Sequence, residues 1–339
     1  MRYIDKEKLQ RLRNIFDSNY KITQLYSLYL ERFPEAITEE MVNTLCEDTN
    51  ISSVEAVSAL VCEILGLDFE KADDRFLIRN YINPSIRLLD AKKYTEDKYY
   101  KNIKIENKKI GNWEFRSESY KPYQAIICND ITILPDFTEI PPLGFFTEEF
   151  EFPAVLEGGN EWMTLTPVDM DTCTEAITAA HGRVLTFGLG LGYYAYMVSE
   201  KAEVDEVVVV ERSAEVIKLF SDELLPQMPN RHKIKIVQSD AFEYAKRIMP
   251  KENFDLVFVD IWRDGSDGAE MYRRMKPYEA SCTDTRFMYW IEGFIISRLR
   301  ALKFEELWAV AESGGELTYD EILSRLVDKQ KLIKSENDS

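Results

Sequence analysis

Gly188, Gly190 and Gly192 alternate in the stretch VLTFGLGLGYY, residues 184–194, between an apolar run and a helix-like segment. Glycines in the first turn of a βαβ unit let a ligand approach the backbone, and the next helix offers free N–H groups and a positive dipole end. Three acidic residues stand at comparable points downstream. Glu211 closes VVVVE, 19 residues after Gly192, where a carboxylate can accept both hydrogen bonds of a ribose diol. Asp240, in IVQSDAFEY, can accept from the amino group of an adenine, and Ala241 beside it offers a backbone N–H. Asp260 ends FDLVFVD. All four positions fall at the carboxyl ends of apolar runs, where open α/β sheets bind ligands.

The elements that must position these groups follow a regular alternation. VLTF, EVVVVE, KIKIVQ and FDLVFVD read as strands, and YYAYMVSEKA, AEVIKLFSDELL and AFEYAKRIM as the helices between them. The strands are continuous apolar runs, which predicts a parallel sheet covered by helices on both faces. A helix is expected from Asp169 up to the glycine stretch. After Asp260, RFMYWIEGFIISRLRALKFEELWAV reads more as one long amphipathic helix than as strands, although FMYWIEGFII also suits a fifth strand.

Upstream, residues 1 to about 95 read as helical. Leu9, Leu12, Ile15 and Phe16 share one face, and a second apolar cluster runs from Ile22 to Phe33, ahead of Pro34. Ser52 and Glu55 have capping-box spacing, Val57, Leu60, Val61, Ile64 and Leu65 form a packing stripe, and Gly66 suits a C-terminal cap. KNIKIE, NWEFRS, YQAIIC and ITIL are β-prone, with Asn129-Asp130 as the turn of a hairpin between the last two. LPDFTEIPPLGFF reads as a connection. The domain expectation is a helical region over 1–97, a small β region over 98–150, a Rossmann-like domain over 151–330 and a disordered tail over 331–339.

The chain has 339 residues and a formal net charge of −18, which argues against a nucleic-acid substrate. Five scattered cysteines without a CxxC fit reduced thiols and a cytoplasmic location. With only His181 and His232, a zinc site or a Ser-His-Asp triad is not expected. No run is apolar enough to span a membrane, and the charged start MRYIDKEKLQRLRN does not read as a signal peptide.

On these motifs, residues 165–262 resemble the class I S-adenosylmethionine-dependent methyltransferases, including their spermidine-synthase-like relatives. The resemblance implies an α/β fold of Rossmann-like type and S-adenosylmethionine as cofactor. It assigns Gly188, Gly190 and Gly192 to the methionine part, Glu211 to the ribose, and Asp240 with Ala241 to the adenine. The spelling departs from the family in three places. Thr186 stands where an acid usually precedes the first glycine. Leu191 stands between the last two glycines, where spermidine synthases carry Asp. Asp264 lies four residues after Asp260, not three.

Methyl transfer from a sulfonium needs an aligned nucleophile, a dry site and sometimes a base. The candidates beside the fourth strand are Asp260, to orient or deprotonate an amine, Trp262, as an aromatic wall, Arg263, to pair with a substrate carboxylate, and Asp264. Glu161, Trp162 and Thr166 are candidates for a lid. The expected function is methyl transfer to a small-molecule or protein acceptor. The alternatives are aminopropyl transfer from the decarboxylated cofactor and a non-catalytic adenosyl-binding protein; a nicotinamide-dependent dehydrogenase is disfavoured because the third glycine comes one residue early. No nucleic acid or membrane partner is expected, and a homodimer is left open.

Overall fold

The computed structural model describes residues 3–313 and 317–333. They form two compact units that interleave along the chain. Of the described residues, one unit holds 3–89, 121–148, 293–313 and 317–333, and the other holds 90–120 and 149–292.

The first unit is mainly helical. The helix Tyr3–Arg32 runs unbroken through both apolar clusters, and Glu39–Thr49 and Ser53–Ile64 follow it. The Ser52–Glu55 capping box forms as its spacing predicts, and Val57 and Val61 are fully buried. Three expectations are corrected here. IRLL, inside the stretch read as helical, is the strand Ile86–Leu89, and it pairs in parallel with Leu143–Phe146. That partner lies inside the supposed connection LPDFTEIPPLGFF; all four of its residues are buried, so both faces are covered and no polar alternation marks it. The hairpin at Asn129-Asp130 does not form. Ile126–Ile127 pairs with Leu143–Phe146, and Thr132–Ile133 with Glu139–Ile140. Asp130 instead accepts hydrogen bonds from the N–H groups of Gly293 (2.7 Å) and Phe294 (2.9 Å), at the start of the helix Glu292–Glu312. Lys329–Ile333 is a short helix, and the remaining tail, 334–339, lies outside the described residues.

The second unit carries the site. After two short helices, Ala91–Thr95 and Lys98–Asn102, its strands and the main helices are β1 (Lys108–Ile110), β2 (Trp113–Tyr120), β3 (Phe150–Glu157), β4 (Asn160–Thr164), α1 (Pro167–Ala179), β5 (Gly182–Phe187), α2 (Tyr193–Ser199), β6 (Val204–Glu211), α3 (Ala214–Leu219), β7 (Ile234–Gln238), α4 (Ala241–Arg247), β8 (Leu256–Val259), α5 (Gly265–Met275) and β9 (Arg286–Tyr289). Strands β1 to β4 form an antiparallel sheet in chain order. Strands β5 to β9 form a parallel sheet in the order β7-β6-β5-β8-β9. This is a Rossmann-like α/β architecture, as the apolar runs predicted. Val207 to Val210 and Leu256 to Val259 are at most 1% exposed, which is the burial on both faces that makes such strands read as unbroken apolar runs.

Two further readings are corrected in this unit. KNIKIE is not a strand: Lys98–Asn102 is a helical turn, capped by Asp97 accepting from the Tyr99 N–H (2.7 Å), and Tyr99 is buried. RFMY is the fifth strand, β9, parallel to β8, and the long helix begins only at Glu292. The four-residue strand and the helix after it merge into one apolar run, so periodicity alone favoured the helix.

Candidate functional site

Strand β5 is flanked by β6 on one side and β8 on the other, so successive crossovers leave it in opposite directions. A crevice opens outside the carboxyl ends at such a switch point. Here it is a cavity of about 380 Å³, within the range of small-molecule sites. The ends of β5, β6, β7 and β8 bring Gly188 and Gly190, Glu211, Asp240 with Ala241, and Asp260 to its wall. Gly192 lies deeper, on an adjoining inner cavity of about 40 Å³.

The glycines face protein as much as open space. Gly188 has φ +96°, and a Cβ there would overlap the carbonyl oxygen of Asp260, so the loop after β8 crosses directly over it. Gly190 has φ +51°, and a Cβ there would overlap the Met163 thioether, which accepts from the Leu191 N–H at 3.0 Å. Part of the backbone cradle expected for a ligand therefore holds β4.

Glu211 is fixed by two backbone donors. Its Oε2 accepts from the Leu189 N–H (3.3 Å) and its Oε1 from the Ser213 N–H (2.8 Å). A carboxylate has about four acceptor positions, so each oxygen keeps one for a ligand. Asp240 caps α4: its Oδ1 accepts from the N–H groups of Phe242 (2.9 Å) and Glu243 (3.0 Å). Its Oδ2 has no partner among the described residues. Ala241 is the first residue of α4, where a helix leaves its N–H without an intrahelical acceptor.

The four candidates after β8 separate. Asp260 lines both cavities. Burial first, and then the nearby Asp169, push its carboxyl up to about 8. Trp262 is buried, stacks parallel to Tyr289 at 6.3 Å, and donates its Nε1–H to the Trp290 carbonyl at 3.3 Å, so one ring both packs the core and walls the outer cavity. Arg263 lines the same cavity and is held 3.5 Å from Asp267. Asp264 is not on either wall. It caps α5, accepting from the Ser266 N–H at 2.6 Å, and the Ser266 hydroxyl above all holds its carboxyl below the usual range.

Of the lid candidates, Trp162 is on the outer wall, edge-on to Trp113. Thr166 instead caps α1, and Glu161 is exposed and off the wall. Sequence reasoning missed Asp267, Met271 and Arg274, which line the cavity from one face of α5 at i, i+4 and i+7. The DGSDGAE capping box was the available signal for that helix. Arg274 lies 3.9 Å over the Phe242 ring.

No family model matches the chain, and no curated protein matches it. Among solved structures it is similar to a spermidine synthase bound to the transition-state analogue AdoDATO, with 17% identity and TM-score 0.32 over 45% of this chain and 60% of that one. The spermidine synthase of Thermotoga maritima gives 18% and 0.31 over 55% and 61%. The methyltransferase domain of bacterial CtHen1-C gives 17% and 0.26 over 36% and 62%. This chain thus spans about three-fifths of each of those solved chains. Among the described residues no helix is long and apolar enough to cross a membrane.

Proposed function

We propose that the second unit binds S-adenosylmethionine and transfers its methyl group to a small-molecule or protein acceptor. The observation that carries this reading is the convergence of four strand ends on one cavity, in the order loop glycines, Glu211, Asp240 with Ala241, and Asp260. Glu211 has acceptor capacity for a ribose diol, Asp240 Oδ2 for an adenine amino group, and the Ala241 N–H for a ring nitrogen. These partly satisfied polar groups fit an adenosyl ligand. When bound, the cofactor supplies an electrophilic methyl group on a sulfonium.

The protein's own part is orientation and exclusion of water. Trp262 and Met271 give the outer cavity apolar wall, and Arg263 and Arg274 give it positive charge for an anionic acceptor group. Asp260, whose carboxyl is pushed up to about 8 and so stays mostly protonated near neutral pH, is placed to orient an acceptor amine by hydrogen bonding, and it becomes a proton acceptor only as the pH rises toward that value. A second reading, aminopropyl transfer, is favoured by one feature: two carboxyl groups, Asp169 and Asp260, line the inner cavity with no basic side chain on its wall.

The test is calorimetric titration with S-adenosylmethionine, its decarboxylated form, S-adenosylhomocysteine and NAD. Binding of the carboxylated forms, lost in Glu211→Ala, supports methyl transfer and justifies an acceptor screen. Preference for the decarboxylated form moves the reading to aminopropyl transfer. No binding of any of them refutes both.

A further inference from the structure

The antiparallel sheet carries a cavity of its own, of about 260 Å³. The helical turn Lys98–Asn102 and the chain just after it supply Tyr99, Tyr100, Ile103 and Lys104 to its wall, β2 supplies Arg116 and Ser117, and β3 supplies Glu151 and Phe152. It shares no wall residue with the outer cavity at the strand ends. Its volume lies just under the range of drug-sized sites, which suits a small metabolite.

The apolar part of this wall is fixed in place. Tyr99, Ile103 and Phe152 are buried. The Tyr99 hydroxyl donates to the Leu191 carbonyl and the Tyr100 hydroxyl to the Leu165 carbonyl, both at 2.5 Å. Both phenols are thus committed elsewhere, and what they offer the cavity is ring surface. Tyr193 and Tyr196 hold the Tyr99 ring edge-on, at 5.6 and 5.5 Å. The Gln227 amide pins the backbone of Lys104 on both sides: its Oε1 accepts from the Lys104 N–H (2.8 Å), and its Nε2 donates to the Lys104 carbonyl (2.9 Å). A wall held this way needs little ordering when a ligand arrives.

The charges on the wall select the ligand. Arg116 is answered by Glu118, its neighbour but one on β2. Lys104 and Glu151 are exposed, and neither makes an ion pair among the described residues, although they line one cavity. A purely anionic apolar ligand would answer Lys104 alone, and a purely cationic one Glu151 alone. A ligand that carries both signs next to an apolar body answers both, and the Ser117 hydroxyl adds a donor and an acceptor.

We propose that this cavity is a second ligand site, for a free α-amino acid with an aromatic or branched apolar side chain: the side chain on the Tyr99, Tyr100 and Phe152 rings, the carboxylate toward Lys104 and the ammonium toward Glu151. The site is separate from the adenosyl reading and stands or falls without it.

Calorimetric titration of the full chain with L-phenylalanine and L-leucine tests this, with 3-phenylpropanoate, which lacks the ammonium, and phenethylamine, which lacks the carboxylate, as the comparison pair. At least one amino acid is expected to bind saturably below about 10 mM, and phenylalanine about 3- to 10-fold tighter than either singly charged analogue. Lys104→Ala is expected to weaken the amino acid and 3-phenylpropanoate and to leave phenethylamine unchanged. Glu151→Gln is expected to do the reverse for the two analogues. Ser117→Trp, which fills the cavity from an exposed strand position, is expected to abolish binding of all four. These three residues are exposed, so the variants fold. No saturable binding of either amino acid overturns the site. Equal affinity for phenylalanine and both analogues overturns the zwitterion, and amino-acid binding unchanged in all three variants places it elsewhere on the protein and overturns the assignment.

Discussion

Replacing Asp260 by asparagine should stabilise the protein, and by an amount that depends on pH. The carboxyl rises from its ordinary value of 3.8 to about 8, through burial first and the proximity of Asp169 second. Because the folded value exceeds the unfolded one, the native chain holds more protons than the unfolded chain between pH 4 and pH 8. Stability from this group is therefore complete below pH 4 and is lost as the pH climbs through 8. A shift of that size corresponds to roughly 4 kcal/mol at pH 7 and about 5 kcal/mol at pH 8, against less than about 2 kcal/mol at pH 5. The groups facing Asp260 across the inner cavity are Asp169 and Cys173 of α1 and Tyr193 and Tyr194 of α2, and the outer cavity adds Glu211, Arg212, Asp240, Arg263, Asp267 and Arg274. None of these changes in the variant, so their own pH dependence largely cancels in the difference. Asp169 is coupled to Asp260 and titrates with it as a pair, which the Asn variant uncouples. The assay is urea unfolding followed by tryptophan fluorescence, and four of the five tryptophans (Trp113, Trp162, Trp262, Trp290) lie in this unit. The stability gap between Asp260→Asn and wild type should widen by about 3–4 kcal/mol from pH 5 to pH 8. A gap constant across that range would falsify the enclosed, uncompensated carboxyl.

Other expected outcomes follow from single contacts. Glu211→Ala removes a carboxylate held by two backbone N–H groups, and adenosyl-ligand affinity should fall about 100-fold by calorimetry; an unchanged affinity places the nucleoside elsewhere. Asp264→Ala should lower stability by about 1 kcal/mol through loss of the α5 cap, and Asp264→Asn should restore it; equal melting temperatures for all three would contradict the capping role. Asp130→Ala should cost about 1–2 kcal/mol, because it strips two N–H groups of their acceptor, whereas a residue in a solvent-facing hairpin turn would be near neutral. Binding of an amine-bearing adenosyl ligand at pH 7 should release up to about one proton, since a cation beside Asp260 favours its charged form; calorimetry in buffers of different ionisation enthalpy measures this.

What could be read from the chain alone is what local pattern encodes. Val207 to Val210 are apolar because both faces of β6 are covered, and that burial is written in the run itself. Ser52 and Glu55 announce their helix because a capping box is complete within four residues. The ring of Gly188, Glu211, Asp240 and Asp260 was legible because parallel strands of similar length deliver their carboxyl ends to one edge. Tertiary structure decided the rest. Leu143–Phe146 is a strand only because Ile86–Leu89, far away in sequence, pairs with it. RFMY is a strand because β8 offers it an edge, although its composition runs on smoothly into a helix. Asp264 and Asp260, four residues apart and alike in chemistry, part company because one meets the first turn of α5 and the other a cavity closed by α1 and α2. The pairing of Asp169 with Asp260 had no local signal at all. Their separation in sequence is bridged by the sheet, and only packing shows that two carboxyls share one small space with no basic side chain on its wall.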